Sequence, residues 1–152
     1  MSGQGQPPFA QGENASCWLG QQWIPLLVST GGGAPVYQLQ WAVYDIIANR
    51  LFFDLAIQLS ALGTLAAGTL TIAGPPFNDA NPVLPLGGTL IESFVIVGSN
   101  LAAGIANLLS TFNHPTQTIT LSKFAAGAAA SLTQGDLTAT TSLRLSGNYR
   151  IY

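Results

Sequence analysis

The sequence predicts an all-β fold, an antiparallel β-sandwich or jelly roll of about eight or nine strands with an extended N-terminal arm. Two observations carry the prediction. Short stretches alternate apolar and polar residues with a period of two, which puts one set on each face of a strand. Clusters of Gly, Pro, Asn and Ser separate these stretches at short, regular spacing, as turns between strands do. At 152 residues the chain also fits one domain able to bury a core without disulfide or metal staples.

The elements follow in order. Residues 1–20 form an arm dominated by Gly, Gln, Pro, Ser and Asn, without apolar periodicity. Such a composition does not order by itself, so docking on a neighbouring subunit is expected to order it. Residues 21–152 make the sandwich. Trp23 to Val28 is a first strand, which Pro25 confines to an edge or a strand start because proline has no N–H for the ladder. Residues 29–35 are a loop, Val36 to Tyr44 the next strand, and residues 45–49 a turn. From Arg50 to Ser60 the alternation is regular. Leu51, Phe53, Leu55, Ile57 and Leu59 share one face; Phe52, Asp54, Ala56, Gln58 and Ser60 take the other.

Thr69 to Ile72 alternates in the same way and stops at Gly74-Pro75-Pro76, and Leu90 to Val97 is a longer apolar strand. Leu101 to Phe112 stays open between strand and helix. Leu101, Ile105, Leu108 and Leu109 suit a helical face, whereas Asn100, Gly104 and Asn107 oppose one. Thr118 to Leu121 alternates, and residues 124–130 read as a short helix or a tight inner segment. The last strand is the clearest. Leu143, Leu145, Gly147, Tyr149 and Ile151 face one way, and Ser142, Arg144, Ser146, Asn148 and Arg150 the other.

Only 7% of the residues are Asp, Glu, Lys or Arg, against about 25% in ordinary soluble domains. Ser, Thr, Asn, Gln and Gly take the place of surface charge. A lone monomer stays dispersed by charge, so this surface reads as one meant to be covered by other subunits. The net charge is −2, and four scattered basic residues offer no footprint for nucleic acid. The first residues, Met-Ser-Gly-Gln-Gly-Gln-Pro-Pro, lack the basic and apolar regions of a secretory signal. Residues 55–78 carry one charge-free apolar run, but Gln58, Ser60, Thr64, Thr69 and Thr71, the paired prolines and the missing aromatic or basic anchors argue against a membrane span.

Catalytic constellations are scarce. One His (His114) and one Cys (Cys17) leave Ser or Cys nucleophile schemes without parts, and neither a metal cluster nor a cofactor is expected. Asp45, Asp54 and Glu92 are the carboxylates that sugar cleavage would need. Asp54 falls on the polar face, where pairing with Arg50 or Arg144 is the simpler role. Gly31-Gly32-Gly33 lacks the Lys-Ser/Thr of a phosphate loop and reads as a flexible turn. Asn14-Ala15-Ser16 fits a glycosylation acceptor by chance. The aromatics remain: Trp18, Trp23, Tyr37, Trp41, Tyr44, Tyr149 and Tyr152 serve either packing and subunit contact or stacking on sugar rings. Trp18, Trp41, Tyr44 and Tyr152 are the candidate carbohydrate or interface contacts.

Four segments are also familiar as a series. They are Gly20-Gln21-Gln22-Trp23-Ile24-Pro25-Leu26-Leu27, Ile47-Ala48-Asn49-Arg50-Leu51-Phe52-Phe53, Thr69-Leu70-Thr71-Ile72-Ala73-Gly74-Pro75-Pro76-Phe77 and Ser142-Leu143-Arg144-Leu145-Ser146-Gly147-Asn148-Tyr149. Over residues 20–152 the chain resembles the C-terminal β-sandwich, or head-like, module of tailed-bacteriophage tail fibres and tail spikes. Two departures stand out: Pro75 replaces the usual Leu before Pro-Phe, and Ala48 stands where Gly is common. Those modules end long trimeric shafts, whereas an arm of twenty residues precedes this one.

The resemblance implies a homotrimer that binds a host surface, and fold kinship alone does not transfer function. The expectation is therefore a non-enzymatic virion structural protein of the phage particle surface. Other virion proteins would dock through the arm, loops would face a host-surface glycan, and neither nucleic acid nor membrane would be a partner. A capsid decoration protein that stabilises the phage head is the first alternative, and a glycan-cleaving module the second.

Overall fold

The computed structural model describes residues 20–48, 50–73, 91–105, 107–113, 116–125 and 127–150. The period-two alternation becomes ten antiparallel strands among them: β1 (Gln21–Trp23), β2 (Leu26–Ser29), β3 (Val36–Ile47), β4 (Arg50–Ala61), β5 (Leu70–Ala73), β6 (Ile91–Leu101), β7 (Asn107–Asn113), β8 (Thr118–Ala125), β9 (Ala128–Ser131) and β10 (Leu137–Arg150). A single 3-10 turn, Gln134–Asp136, precedes β10. The hydrogen-bonded order is β1-β3-β4-β10-β6-β7-β8-β5-β2, with β9 on β8. The sheet curls on itself, so that one half (β1, β3, β4, β10 and the end of β6) shares a core with the other (the start of β6, β7, β8, β5 and β2). The all-β expectation holds.

β4 fills the middle of this core. Leu51, Phe53, Leu55, Ile57 and Leu59 are no more than 5% exposed, on the face the alternation assigns them. Burying each contributes about 1.5–3 kcal/mol. Leu143, Leu145 and Tyr149 of β10 meet them, and Leu70, Ile72, Phe112, Ile119 and Leu121 close the core from the other half. At one end six rings pack together: Trp23, Tyr44, Phe53, Phe94, Phe112 and Tyr149. Phe53 meets Phe94 edge-on at 4.8 Å and Phe112 stacks on Tyr149 at 4.4 Å.

Two of the chain's passages between the halves are corners in a strand, built differently. β6 bends without breaking: Ile91–Phe94 pair with β7, and Val95–Ser99 pair with β10. Gly147 of β10 makes room for the bend, because a Cβ there would run into the Phe94 ring. At the other corner Pro25 interrupts the ladder, and the single strand expected from Trp23 to Val28 becomes β1 in one half and β2 in the other. No backbone ladder joins β2 to β3. Side chains close that seam: the Tyr37 hydroxyl accepts from the Leu27 N–H at 2.9 Å, and Gln40 Nε2 donates to the Pro25 carbonyl at 2.7 Å.

Several segments differ from their sequence reading. Leu101 ends β6 and Asn107 opens β7, so the stretch with helical periodicity is strand, turn and strand; Gly104, at φ 91°, sits in the turn. Among the described residues of 124–130 there is neither a helix nor an inner segment. They end β8 and begin β9, with Gly127 at φ 85° between the two strands. The last strand starts at Leu137, five residues early, through a bulge before Ser142 in which the Thr138 and Thr141 hydroxyls donate to the Asn100 carbonyl. The triple glycine follows a turn at Thr30–Gly31 and packs closely on the loop after β4. A Cβ on Gly31 or Gly33 would collide with the carbonyls of Ala67 or Thr64, and the Ala66 N–H donates to the Gly32 carbonyl at 2.9 Å. Residues 55–73 of the apolar run form the end of β4, the loop 62–69 that packs on these glycines, and β5. No helix among the described residues is long and apolar enough to cross a membrane.

Candidate interaction surface

With the odd positions of β4 and β10 buried, their even positions form an outer face, and cross-strand register fixes its rows. One row runs Val97, Arg144, Ala56, Trp41. The next runs Val95, Ser146, Asp54, Val43, Gln22. A third holds Asn148, Phe52 and Asp45, and a fourth Ser99, Ser142, Gln58 and Leu39. Val95 is 68% exposed and Val97 63%, with Leu39 and Phe52 also exposed. The face is mixed: Val95 and Val97 on β6, and Leu39, Trp41, Val43 and Phe52 on β3 and β4, flank a polar column on β10 made of Ser142, Arg144, Ser146 and Asn148.

One ion pair stands near its middle. Arg144 Nη2 donates to Asp54 Oδ2 at 3.1 Å, the pairing expected for Asp54, and this contact raises the arginine pKa above its ordinary value. Asp54 Oδ1 is buried and has no hydrogen-bond partner among the described residues. Beside the pair lies a shallow groove of about 340 Å³, lined by Val43, Tyr44, Asp45, Phe52, Phe53, Asp54, Ser146, Gly147 and Asn148. Asn148 Oδ1 accepts from Arg50 Nε at 2.8 Å, and Arg50 also lies 3.9 Å from Glu92. Asp54 and Glu92 thus each have their own cation.

The outer face of the other half has a different chemistry. Val28, Thr71, Thr120, Thr111 and Ser93 form one row across β2, β5, β8, β7 and β6, with Thr118 and Asn113 in the row beside it. Exposed apolar residues occur there in two pairs, Leu26 with Val28 along β2 and Leu109 diagonal to Phe124 across β7 and β8, on either side of the threonine row. Its charged cluster lies at the end of the core: Lys123 pairs with Asp136, whose other oxygen accepts the Thr133 N–H at 2.8 Å and hydroxyl at 2.9 Å. Burial works to raise the Asp136 pKa. Hydrogen bonds from Lys123 and Thr133, with the lysine charge, outweigh it and hold the carboxyl below its usual value.

The sequence-derived candidates are dispersed. Trp41 sits half-buried on the outer face of β3. Tyr44 is 7% exposed, its ring against Trp23 and its hydroxyl bonded to Gln21, so it serves packing and reaches the groove only along its wall. Tyr37 closes the β2–β3 seam, and burial there raises its pKa against the lowering effect of the Leu27 backbone. Tyr149 stacks in the core, and burial, with the charges of Tyr44 and Glu92 adding, pushes its pKa up. Trp18, Tyr152, Cys17, His114, the Asn14-Ala15-Ser16 triplet, Pro75 and the docking arm lie outside the described residues. Val95 and Val97 were not among the candidates. Their signal is that Phe94, Val95, Ile96 and Val97 leave neither face of β6 polar.

No family model and no curated protein matches the chain. The fold, however, matches part of a tailspike. It superposes on the crystal structure of the Dettilon tailspike protein with a TM-score of 0.64 and 20% identity. The match covers 84% of this chain and 23% of the tailspike, so this chain spans under a quarter of that protein's length. The likeness is one of fold.

Proposed function

We propose that this chain is a tail-associated structural module of a phage particle, of the tail spike and tail fibre kind, which assembles as a trimer and takes part in attachment to the host surface. The observation that carries the reading is the fold match to a tailspike across most of the chain. The surface supports it independently. With 7% charged residues and exposed apolar side chains such as Val95, Val97, Leu39 and Phe52, the chain presents area suited to other subunits. The proposed role is non-enzymatic: of the candidate carboxylates Asp45, Asp54 and Glu92, Asp54 pairs with Arg144 and Glu92 lies 3.9 Å from Arg50. The groove beside Phe52 offers an apolar ring face with carboxylate, amide and hydroxyl groups, a combination suited to a host-surface glycan.

Antibody labelling of intact particles tests the assignment. Label at the tail tip, together with slowed adsorption when purified protein is added first, is the expected result. Label spread over the head would move the protein to capsid decoration, and absence from particles would end the virion reading.

A further inference from the structure

We propose that the groove beside Phe52 takes a single pyranose ring, and that it selects amine-bearing and neutral sugars against acidic ones. The proposal rests on the glycan reading above and names the ligand class and the residues that choose it.

The site begins with register. Asp45, Phe52 and Asn148 stand directly opposite one another on β3, β4 and β10, so their side chains leave one face of the sheet in one row. Neighbouring strands lie about 4.8 Å apart, which places the carboxylate and the amide about 10 Å from each other with the ring between them. Phe52 is 40% exposed, and Asp45 is exposed beside it. A pyranose has an apolar face of C–H groups and a rim of hydroxyls. Laid on Phe52, it turns that rim toward Asp45 on one side and Asn148 on the other. The two ends differ in chemistry. Asn148 Oδ1 already accepts from Arg50 Nε at 2.8 Å, which leaves its Nδ2 as the donor. Asp45, when ionised, can only accept. The row is therefore acceptor, apolar platform and donor.

Charge sets the ligand class. Among the described residues the groove is lined by two carboxylates, Asp45 and Asp54, and by no Lys, Arg or His. The cations nearby are already engaged: Arg144 with Asp54 at 3.1 Å, and Arg50 with Asn148 and, at 3.9 Å, Glu92. A sugar acid brings a carboxylate that finds no free cation here and is repelled by Asp45. A sugar amine gives Asp45 a charge-assisted hydrogen bond. A neutral hydroxyl falls between the two.

Three methyl glycosides of one hexose scaffold test the ranking, the glucoside, the glucosaminide with its free amine and the glucuronide. Each is titrated against the full chain at neutral pH and low salt by ligand-observed NMR. Dissociation constants should rise from amine to neutral to acid, by roughly fivefold or more between the ends, and the spread should narrow as salt screens it. Asp45→Asn should bring the amine and acid constants together, and Phe52→Ala should weaken all three by roughly fivefold. Thr120→Asp, on the opposite face, should change none of them. The substituted side chains point outward, and circular dichroism checks that each variant keeps its β signal. A glucuronide bound as tightly as the glucoside overturns the selectivity and leaves the glycan reading standing. Lysine methyl ester bound as tightly as the glucosaminide would reveal a bare cation site and overturn the sugar assignment. Binding of none of the three sugars overturns both the inference and the glycan reading of the groove, while particle labelling still tests the tail assignment separately.

Discussion

The two outer faces of the curled sheet are built on one alternation and end with opposite chemistry. On β3, β4 and β6 the outward apolar positions are Leu39, Trp41, Val43, Phe52, Ala56, Val95 and Val97, and β10 between them contributes Ser142, Arg144, Ser146 and Asn148. On β2, β5, β8 and β7 the outward row reads Val28, Thr71, Thr120 and Thr111. Both sets suit strands equally, because Thr and Val share the branched shape that strands favour. What differs is the hydroxyl. A threonine row meets water with hydroxyls, and exposed valine, tryptophan and phenylalanine side chains do not. The same fold therefore carries one face with a continuous hydroxyl row and one face with its most exposed apolar side chains, Val95 and Val97, on β6.

The division depends on the corners that keep the faces apart, so the most damaging change should be in the core beneath β6. Phe94→Ala removes a ring that touches Phe53, Phe112 and Tyr149, and unfolding by denaturant should show a loss of about 3–5 kcal/mol. Gly147→Ala tests the same corner from β10. Its methyl meets the Phe94 ring, and the loss should be about 1–3 kcal/mol, relieved when Phe94 is also replaced by Leu.

The second corner should be weaker and more polar in origin. Tyr37→Phe deletes the hydroxyl that accepts the Leu27 N–H, with an expected cost of about 1–2 kcal/mol and faster amide exchange in β2. The smallest effect depends on pH. The Asp136 carboxyl is held below its ordinary value, so its contribution is present above the unfolded pKa of about 3.9 and is lost as pH falls through the lower folded value. Thermal midpoints of the wild type should drop in that acid window, and Asp136→Asn should flatten the drop.

Much of this was legible in the residues. The five buried positions of β4 and the buried positions of β10 follow from strict alternation, because a strand with one dry face can hold only one register. Pro25 was legible as a restriction and not as a corner, since its missing N–H says where pairing stops and not which way the chain leaves. The bulge before Ser142 was hidden, because it is made by Thr138 and Thr141 bonding to a carbonyl forty residues away in sequence. Residues 101–112 misled through Leu101, Ile105 and Leu108, which suit a helix and instead pack at the wedge where β6 and β7 part.

The candidate site was less legible. Trp41 and Tyr44 belong to one strand, and their spacing of three already puts them on opposite faces; only Trp41 points outward. The ion pair could be named from sequence, but its place between the exposed valines of β6 and the apolar residues of β3 and β4 needed the register of four strands.

Thiol accessibility decides the central claim, that the chain assembles and covers the exposed valines of β6. In a Cys17→Ser background, Val97→Cys and Thr120→Cys each place one thiol on one face, and maleimide labelling is followed against protein concentration. The thiol at position 97 should be protected at high concentration and become reactive on dilution, while the thiol at position 120 labels at one rate throughout. Equal, concentration-independent labelling at both positions would contradict the account.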